Sequence, residues 1–166
     1  IAKAPFGGRV GLLARRRDDF RLLLVGRGTD SPDMARRIAR AGAGGVVAAL
    51  GRRDDVGAIL ASADALVLSS RSEVLNVAVL EALAAGLPVV ATDLPAFKEV
   101  FTHGREGLKA PPGDAEALAR CVDRLLDDPA LRRRLAAAAR TRAGRFGTER
   151  MARAFDRVLR VLCRRA

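Results

Sequence analysis

Apolar positions in this chain come in short blocks rather than singly. Four runs of strand length cover residues 20–25, 46–50, 65–68 and 88–91, and longer stretches with apolar residues at helical spacing separate them. Near-continuous apolar strands alternating with helices predict a parallel sheet covered on both faces. A helix is expected to end within 9–17. The next starts at Ser31-Pro32, with Ser31 as N-cap and Pro32 at the first helical position, and runs to about 41. Asp54 or Asp55 is expected to cap a helix reaching 63, and a helix over 77–85 ends at Gly86. A short helix over 95–101, a turn at His103-Gly104 and a strand over 107–110 follow. Helices over 114–127, 128–142 and 148–162 complete a helical carboxy-terminal tail. No linker, repeat or second domain interrupts this order.

Sheets of this kind bind ligands at the carboxyl ends of their strands, where loops meet helix amino termini. Two such loops carry chemistry. The loop after Val25 reads Gly26-Arg27-Gly28, a partial dinucleotide fingerprint with Ser31 at its third glycine position. A tight turn out of a strand needs glycine in any case, so the turn reading is favoured, in a place that still lines a crevice. The loop after Leu68 carries Glu73, and Glu81 follows eight residues later in a run, 77–85, that is otherwise apolar all round. Such a helix is expected to pack within the structure, where an ionised carboxylate costs several kcal/mol unless something polar meets it. Free N–H groups at a helix start near Asn76 or Val77 suit a phosphate, and Glu81, one turn further on, suits sugar hydroxyls. The bland alternative makes Glu73 a solvated loop residue and Glu81 the partner of an arginine. Spacing alone leaves the two readings balanced.

Composition narrows the class. The 166 residues carry a net charge of +11, and only three of the 30 basic residues are lysines. A nucleic-acid binder has this charge, but here the arginines are spread over many helices and there is no Trp or Tyr to stack on bases. Solvated arginine faces are the favoured explanation, with peripheral contact to an anionic membrane left open. Cys121 and Cys163 lack metal-ligand spacing and read as lone thiols of a reducing compartment. No signal-peptide pattern or membrane-length apolar run is visible, so a cytoplasmic setting is expected. His103, the single histidine, reads as a turn residue without a carboxylate partner, and Arg52-Arg53-Asp54-Asp55 as a helix start with solvated charges. Lys3 reads either as a point charge for phosphate or as an exposed side chain.

Three segments taken together carry a resemblance: 50–56 (LGRRDDV), 69–93 (SSRSEVLNVAVLEALAAGLPVVATD) and 103–114 (HGREGLKAPPGD). In order and spacing they resemble the donor-binding, carboxy-terminal half of retaining GT-B glycosyltransferases of family 4, and the tail RFGTERM at 145–151 resembles that family's closing helix. The resemblance runs from about residue 20 to the end, and its Glu-x7-Glu segment is specific. It implies that Glu81 binds the ribose of a nucleotide-diphosphate sugar and that Glu73 lies beside the donor sugar as the catalytic glutamate. It further implies that the backbone at Leu75, Asn76 and Val77 cradles the diphosphate, with Gly26 and Gly28 lining the site and Arg52 and Arg53 at the base pocket. Lys3 matches one member of a basic pair that clamps the diphosphate, although its spacing to the strand at 20–25 is short. No cofactor or metal is expected, the nucleotide sugar being substrate.

The implied unit is a single Rossmann-like donor-binding domain over 1–166, half of a GT-B fold, with the presence of its first strand left open. The amino-terminal acceptor half is expected to be missing or on another chain. Two positions depart from the family, Val74 where it has glycine and Pro95-Ala96 in place of a glycine pair, and Val74 together with the incomplete diphosphate clamp weighs against activity. The competing reading is therefore a non-catalytic nucleotide-sugar-binding or interaction module that needs a partner chain. A nucleotide-sugar epimerase of the same fold suits the Glu-x7-Glu segment less well.

Overall fold

A computed structural model describes residues 11–74 and 77–147, together with 149, 152 and 156. Among these residues five strands, β1 (Leu22–Val25), β2 (Val47–Gly51), β3 (Leu66–Leu68), β4 (Val89–Thr92) and β5 (Gly107–Ala110), alternate with helices α1 (Pro32–Arg40), α2 (Val56–Ala61), α3 (Val77–Ala84), α4 (Ala115–Asp127) and α5 (Pro129–Ala143). The strands form two parallel ladders, β1–β2 and β3–β4–β5. This is the α/β, Rossmann-like architecture expected from the blocks of apolar residues.

Local chemistry sets most of the boundaries. The Ser31 hydroxyl accepts the Met34 N–H at 3.2 Å and Pro32 opens α1, as the sequence pattern requires. Asp114 and Asp128 cap α4 and α5 through the N–H groups of Ala117 and Leu131, both at 2.8 Å. Gly86 ends α3 with a φ of 75°, a left-handed turn that favours glycine. Two expectations need correction. Asp55 precedes α2 but makes no capping bond, because its carboxylate is held by the Arg53 guanidinium at 2.7 and 2.8 Å. The helix expected over 95–101 is a single 3-10 turn, Pro95–Phe97, after which Phe97 and Phe101 turn inward and are buried.

The core falls into three clusters. Leu24, Ile38, Ala41, Ala43 and Val46 fill the space between α1 and the β1–β2 ladder. Leu68, Val79, Leu83, Val89, Phe97, Phe101 and Ala139 pack α3 and α5 on one side of the second ladder. Val90, Leu108, Leu118, Leu125 and Leu135 pack α4 and α5 on the other side. Arg17 ties the segment before β1 to α4, with Asp19 at 2.6 Å and Asp127 at 2.8 Å. Arginines of α5 close nearby loops over backbone carbonyls: Arg142 donates to Val100 at 2.9 Å and also to Glu99, and Arg134 donates to Gly104 at 3.0 Å. Among the described residues no helix is long and apolar enough to cross a membrane. The expected tail over 148–162 lies largely outside them, although Glu149, Ala152 and Asp156 are helical.

Candidate functional site

Because the strands are parallel within each ladder, the loops after β1 and β2 leave the carboxyl-terminal edge of one ladder and those after β3, β4 and β5 leave that of the other. The first two loops are joined by backbone. Gly26, with a φ of 134°, donates its N–H to the Gly51 carbonyl at 2.7 Å. The buried Thr29 hydroxyl accepts the Gly51 N–H at 3.0 Å and lies 2.9 Å from the Gly26 carbonyl. Gly26 and Gly28 thus form a pinned turn, and the turn reading of these glycines accounts for their conformation. Arg52 and Arg53 follow Gly51, are exposed, and pair with Asp54 at 3.5 Å and Asp55 at 2.7 Å. The bond to Arg53 is the main reason the Asp55 carboxyl is held below its usual range, and the same pair keeps Arg53 charged.

The loop after β3 is held more tightly. Ser69 and Ser70 are buried, and the Ser70 hydroxyl donates to Glu73 Oε1 at 2.6 Å. Thr92, the last residue of β4, donates its hydroxyl to the Ser70 carbonyl at 2.6 Å. Glu73 is accordingly half-buried and hydrogen-bonded, which removes the freely solvated reading of it. Val74, next along, is 96% exposed. Leu75, Asn76 and Lys3 lie outside the described residues, and Val77 is the first residue of α3.

Glu81 differs from expectation. The helix bearing it is not surrounded by protein: Ala78, Val79, Ala82 and Leu83 face the core, while Val77, Glu81 and Ala84 form an exposed stripe at helical spacing. The apolar run misled because two of the three open positions are themselves apolar. Glu81 is therefore solvated, with no desolvation penalty to offset. It forms no ion pair with a described residue, so the arginine-partner alternative finds no support there.

Several features escape sequence reasoning. Thr29, Ser70 and Thr92 act across strands, so only Ser70, three residues before Glu73, left any local trace. Lys109 on β5 is half-buried and its side chain largely covered, with the ammonium 3.3 Å from Asp93, 3.5 Å from the Phe97 carbonyl and 4.9 Å from the Phe101 ring centre. It thereby anchors Asp93, the residue after β4, at the edge of the site. His103 is exposed and accepts the Lys109 N–H through Nδ1 at 2.9 Å, consistent with a turn residue. Cys121 is half-buried, and burial pushes its thiol up. Among the described residues no three His, Cys, Asp or Glu side chains gather to hold a metal.

Loops bearing glycine, arginine and glutamate that leave the carboxyl ends of parallel strands, with α3 beginning after one of them, define the class of Rossmann-like α/β domains. Comparison with known proteins gives the family. Residues 9–128 match the family described as glycosyl transferases group 1, and the chain belongs to it. It is 41% identical over 127 residues to a phosphatidyl-myo-inositol mannosyltransferase of Mycobacterium leprae, covering 73% of this chain and 32% of that protein. Among solved structures, the Anabaena protein HepE in complex with UDP is similar at a TM-score of 0.86 and 24% identity, over 97% of this chain and 47% of that one. Sucrose-phosphate synthase from Thermosynechococcus elongatus is similar at a TM-score of 0.77 and 29% identity, over 96% and 43% of the two chains. The chain thus spans less than half the length of these relatives.

Proposed function

We propose that this chain is the nucleotide-sugar-binding, carboxy-terminal half of a retaining family 4 glycosyltransferase of the GT-B fold, which moves a hexosyl group from a nucleoside diphosphate to a hydroxyl acceptor. The observation that supports this most directly is the pairing of a held carboxylate, Glu73, with an open one, Glu81, on either side of the α3 amino terminus. In this reading the ribose hydroxyls donate to Glu81, which is free to receive them because it is solvated. The diphosphate lies at the start of α3, with the backbone at Leu75, Asn76 and Val77 as its cradle. There the helix dipole favours the charge that grows on the leaving group. Glu73 faces the donor sugar and accepts from its hydroxyls.

As the bond from the anomeric carbon to phosphate breaks, the nucleoside diphosphate leaves with the bonding pair. The acceptor oxygen bonds to the same carbon on the face the phosphate leaves and passes its proton to an oxygen of the departing diphosphate, so that configuration is retained. Gly26 and Gly28 form one wall, and Arg52 and Arg53 border the base. Lys3 remains the proposed member of the diphosphate clamp. The acceptor-binding half is proposed to lie elsewhere, in the same polypeptide or in a partner chain. The mannosyltransferase and the UDP-bound neighbour are consistent with this donor chemistry.

Calorimetric titration with UDP, GDP and ADP tests the assignment. One of the three is expected to bind, and Glu81→Ala is expected to weaken it by roughly tenfold, the scale of a lost charge-assisted bond. Because Glu81 is exposed, its melting temperature should not change. No binding by any of the three, or full affinity in Glu81→Ala, would sink the site.

A further inference from the structure

We propose that Ser70 is a positioning residue for Glu73, and that Thr92 fixes Ser70 so that the carboxylate is presented to the donor sugar in one orientation. The inference rests on the proposed assignment of Glu73 to the donor sugar, and goes beyond it by naming what aims that carboxylate. Three observations carry it. The Ser70 hydroxyl donates to Glu73 Oε1 at 2.6 Å, the short range expected when the acceptor is charged. The Thr92 hydroxyl donates to the Ser70 carbonyl, also at 2.6 Å. Ser70 is 4% exposed and Thr92 1% exposed, so water competes weakly for either bond.

The origin of the chain matters as much as its length. Thr92 closes β4, whose backbone pairs with β3 on one side and β5 on the other. Its side chain is therefore fixed by the central strand of the ladder. The loop bearing Ser70 leaves β3, the neighbouring strand, and the Thr92 bond links that loop to the sheet a second time. Orientation thus passes from sheet to Thr92, from Thr92 to the Ser70 backbone, and from the Ser70 hydroxyl to the carboxylate. A glutamate on a polar loop otherwise has rotamers to lose on meeting a sugar, and a carboxylate already oriented loses fewer. Bonding Oε1 to Ser70 also keeps the negative charge in place where positive charge develops on the sugar carbon.

A purely structural role for Ser70 would be to stabilise the loop, and would affect every ligand alike. The two roles separate in paired titrations of UDP against UDP-glucose and GDP against GDP-mannose. Ser70→Ala is expected to leave the bare diphosphate affinity within about twofold. It should weaken the sugar nucleotide by roughly fivefold to tenfold, the effect also expected of Glu73→Gln, and Ser70→Thr should restore it. If Glu73→Gln shifts the ratio between sugar nucleotide and diphosphate but Ser70→Ala does not, the positioning role is wrong. If neither variant shifts it, the assignment of Glu73 falls, and positioning with it. Binding of no diphosphate at all overturns the donor site itself. Thr92 is tested without ligand by amide hydrogen exchange. Thr92→Val should speed exchange over 69–74 by about tenfold while β3 and β4 stay protected, and Thr92→Ser should not. Unchanged exchange in Thr92→Val would remove Thr92 from the chain.

Discussion

At the scale of single residues, two carboxylates eight positions apart acquire opposite environments. Glu73 is drawn against the protein by Ser70, whereas Glu81 stands on the open stripe of α3. One can be aimed and the other can be reached, which is what a ligand with two polar ends requires of its site. Glycine at 107 is a different kind of single-residue requirement. A Cβ there would lie 2.1 Å from the Val89 carbonyl oxygen and 3.0 Å from the Phe101 ring, both on packed, buried residues. Gly107→Ala is therefore expected to destabilise the fold by roughly 3 kcal/mol, the upper end for overpacking, and to lower the melting temperature by at least several degrees. A thermal melt within one degree of the parent would show that β4 and β5 approach less closely.

At the scale of elements, what could be read from the sequence is what each element decides locally. Ser31-Pro32 caps and opens α1 because both signals act within one helical turn. The strand blocks were legible because strands buried on both faces need apolar residues at successive positions, and β4 is buried at all four. Sequence reasoning failed where an element's neighbours decide. The open face of α3 could not be read, since Val77 and Ala84 look like core residues and only packing reveals that they are exposed. Asp55 looks like a helix cap until Arg53 takes its carboxylate. Thr92 and Ser70 are separated by 22 residues and meet only once β3 and β4 pair.

One inter-element tie gives a pH prediction. Arg17 bonds Asp19 and Asp127 and so fastens the segment before β1 to α4. The bond from Arg17 holds the Asp19 carboxyl below its ordinary 3.8. A carboxyl with a lowered folded value adds stability that is present above 3.8 and is lost as pH falls through that folded value. Asp19 is exposed, so the gain is small and screened by salt. Melting curves of the parent should lie slightly above those of Asp19→Asn near neutral pH at low salt and converge with them in acid. A constant gap down to acid pH would contradict the Arg17–Asp19 bond.

At the scale of the whole molecule, the candidate residues share one kind of place, just past the carboxyl ends of strands. The strands are parallel, so the pinned glycine turn, the paired arginines after β2, the held Glu73, the start of α3 and the anchored Asp93 all follow strand ends. The net charge of +11 offers a rival account, in which anions collect on the arginines of α5, such as Arg133 and Arg140, both exposed. The two accounts differ in where a nucleoside diphosphate binds, and that is observable residue by residue. The most direct test is an amide chemical-shift titration of the isotopically labelled chain with UDP and GDP. The donor-site account predicts saturable shifts concentrated at Gly26–Gly28, Arg52–Arg53, Ser70–Glu73 and the first two turns of α3 through Glu81, with α5 unmoved. Shifts that gather on the arginines of α5 and vanish with salt, leaving Glu73 and Glu81 unmoved, would contradict it.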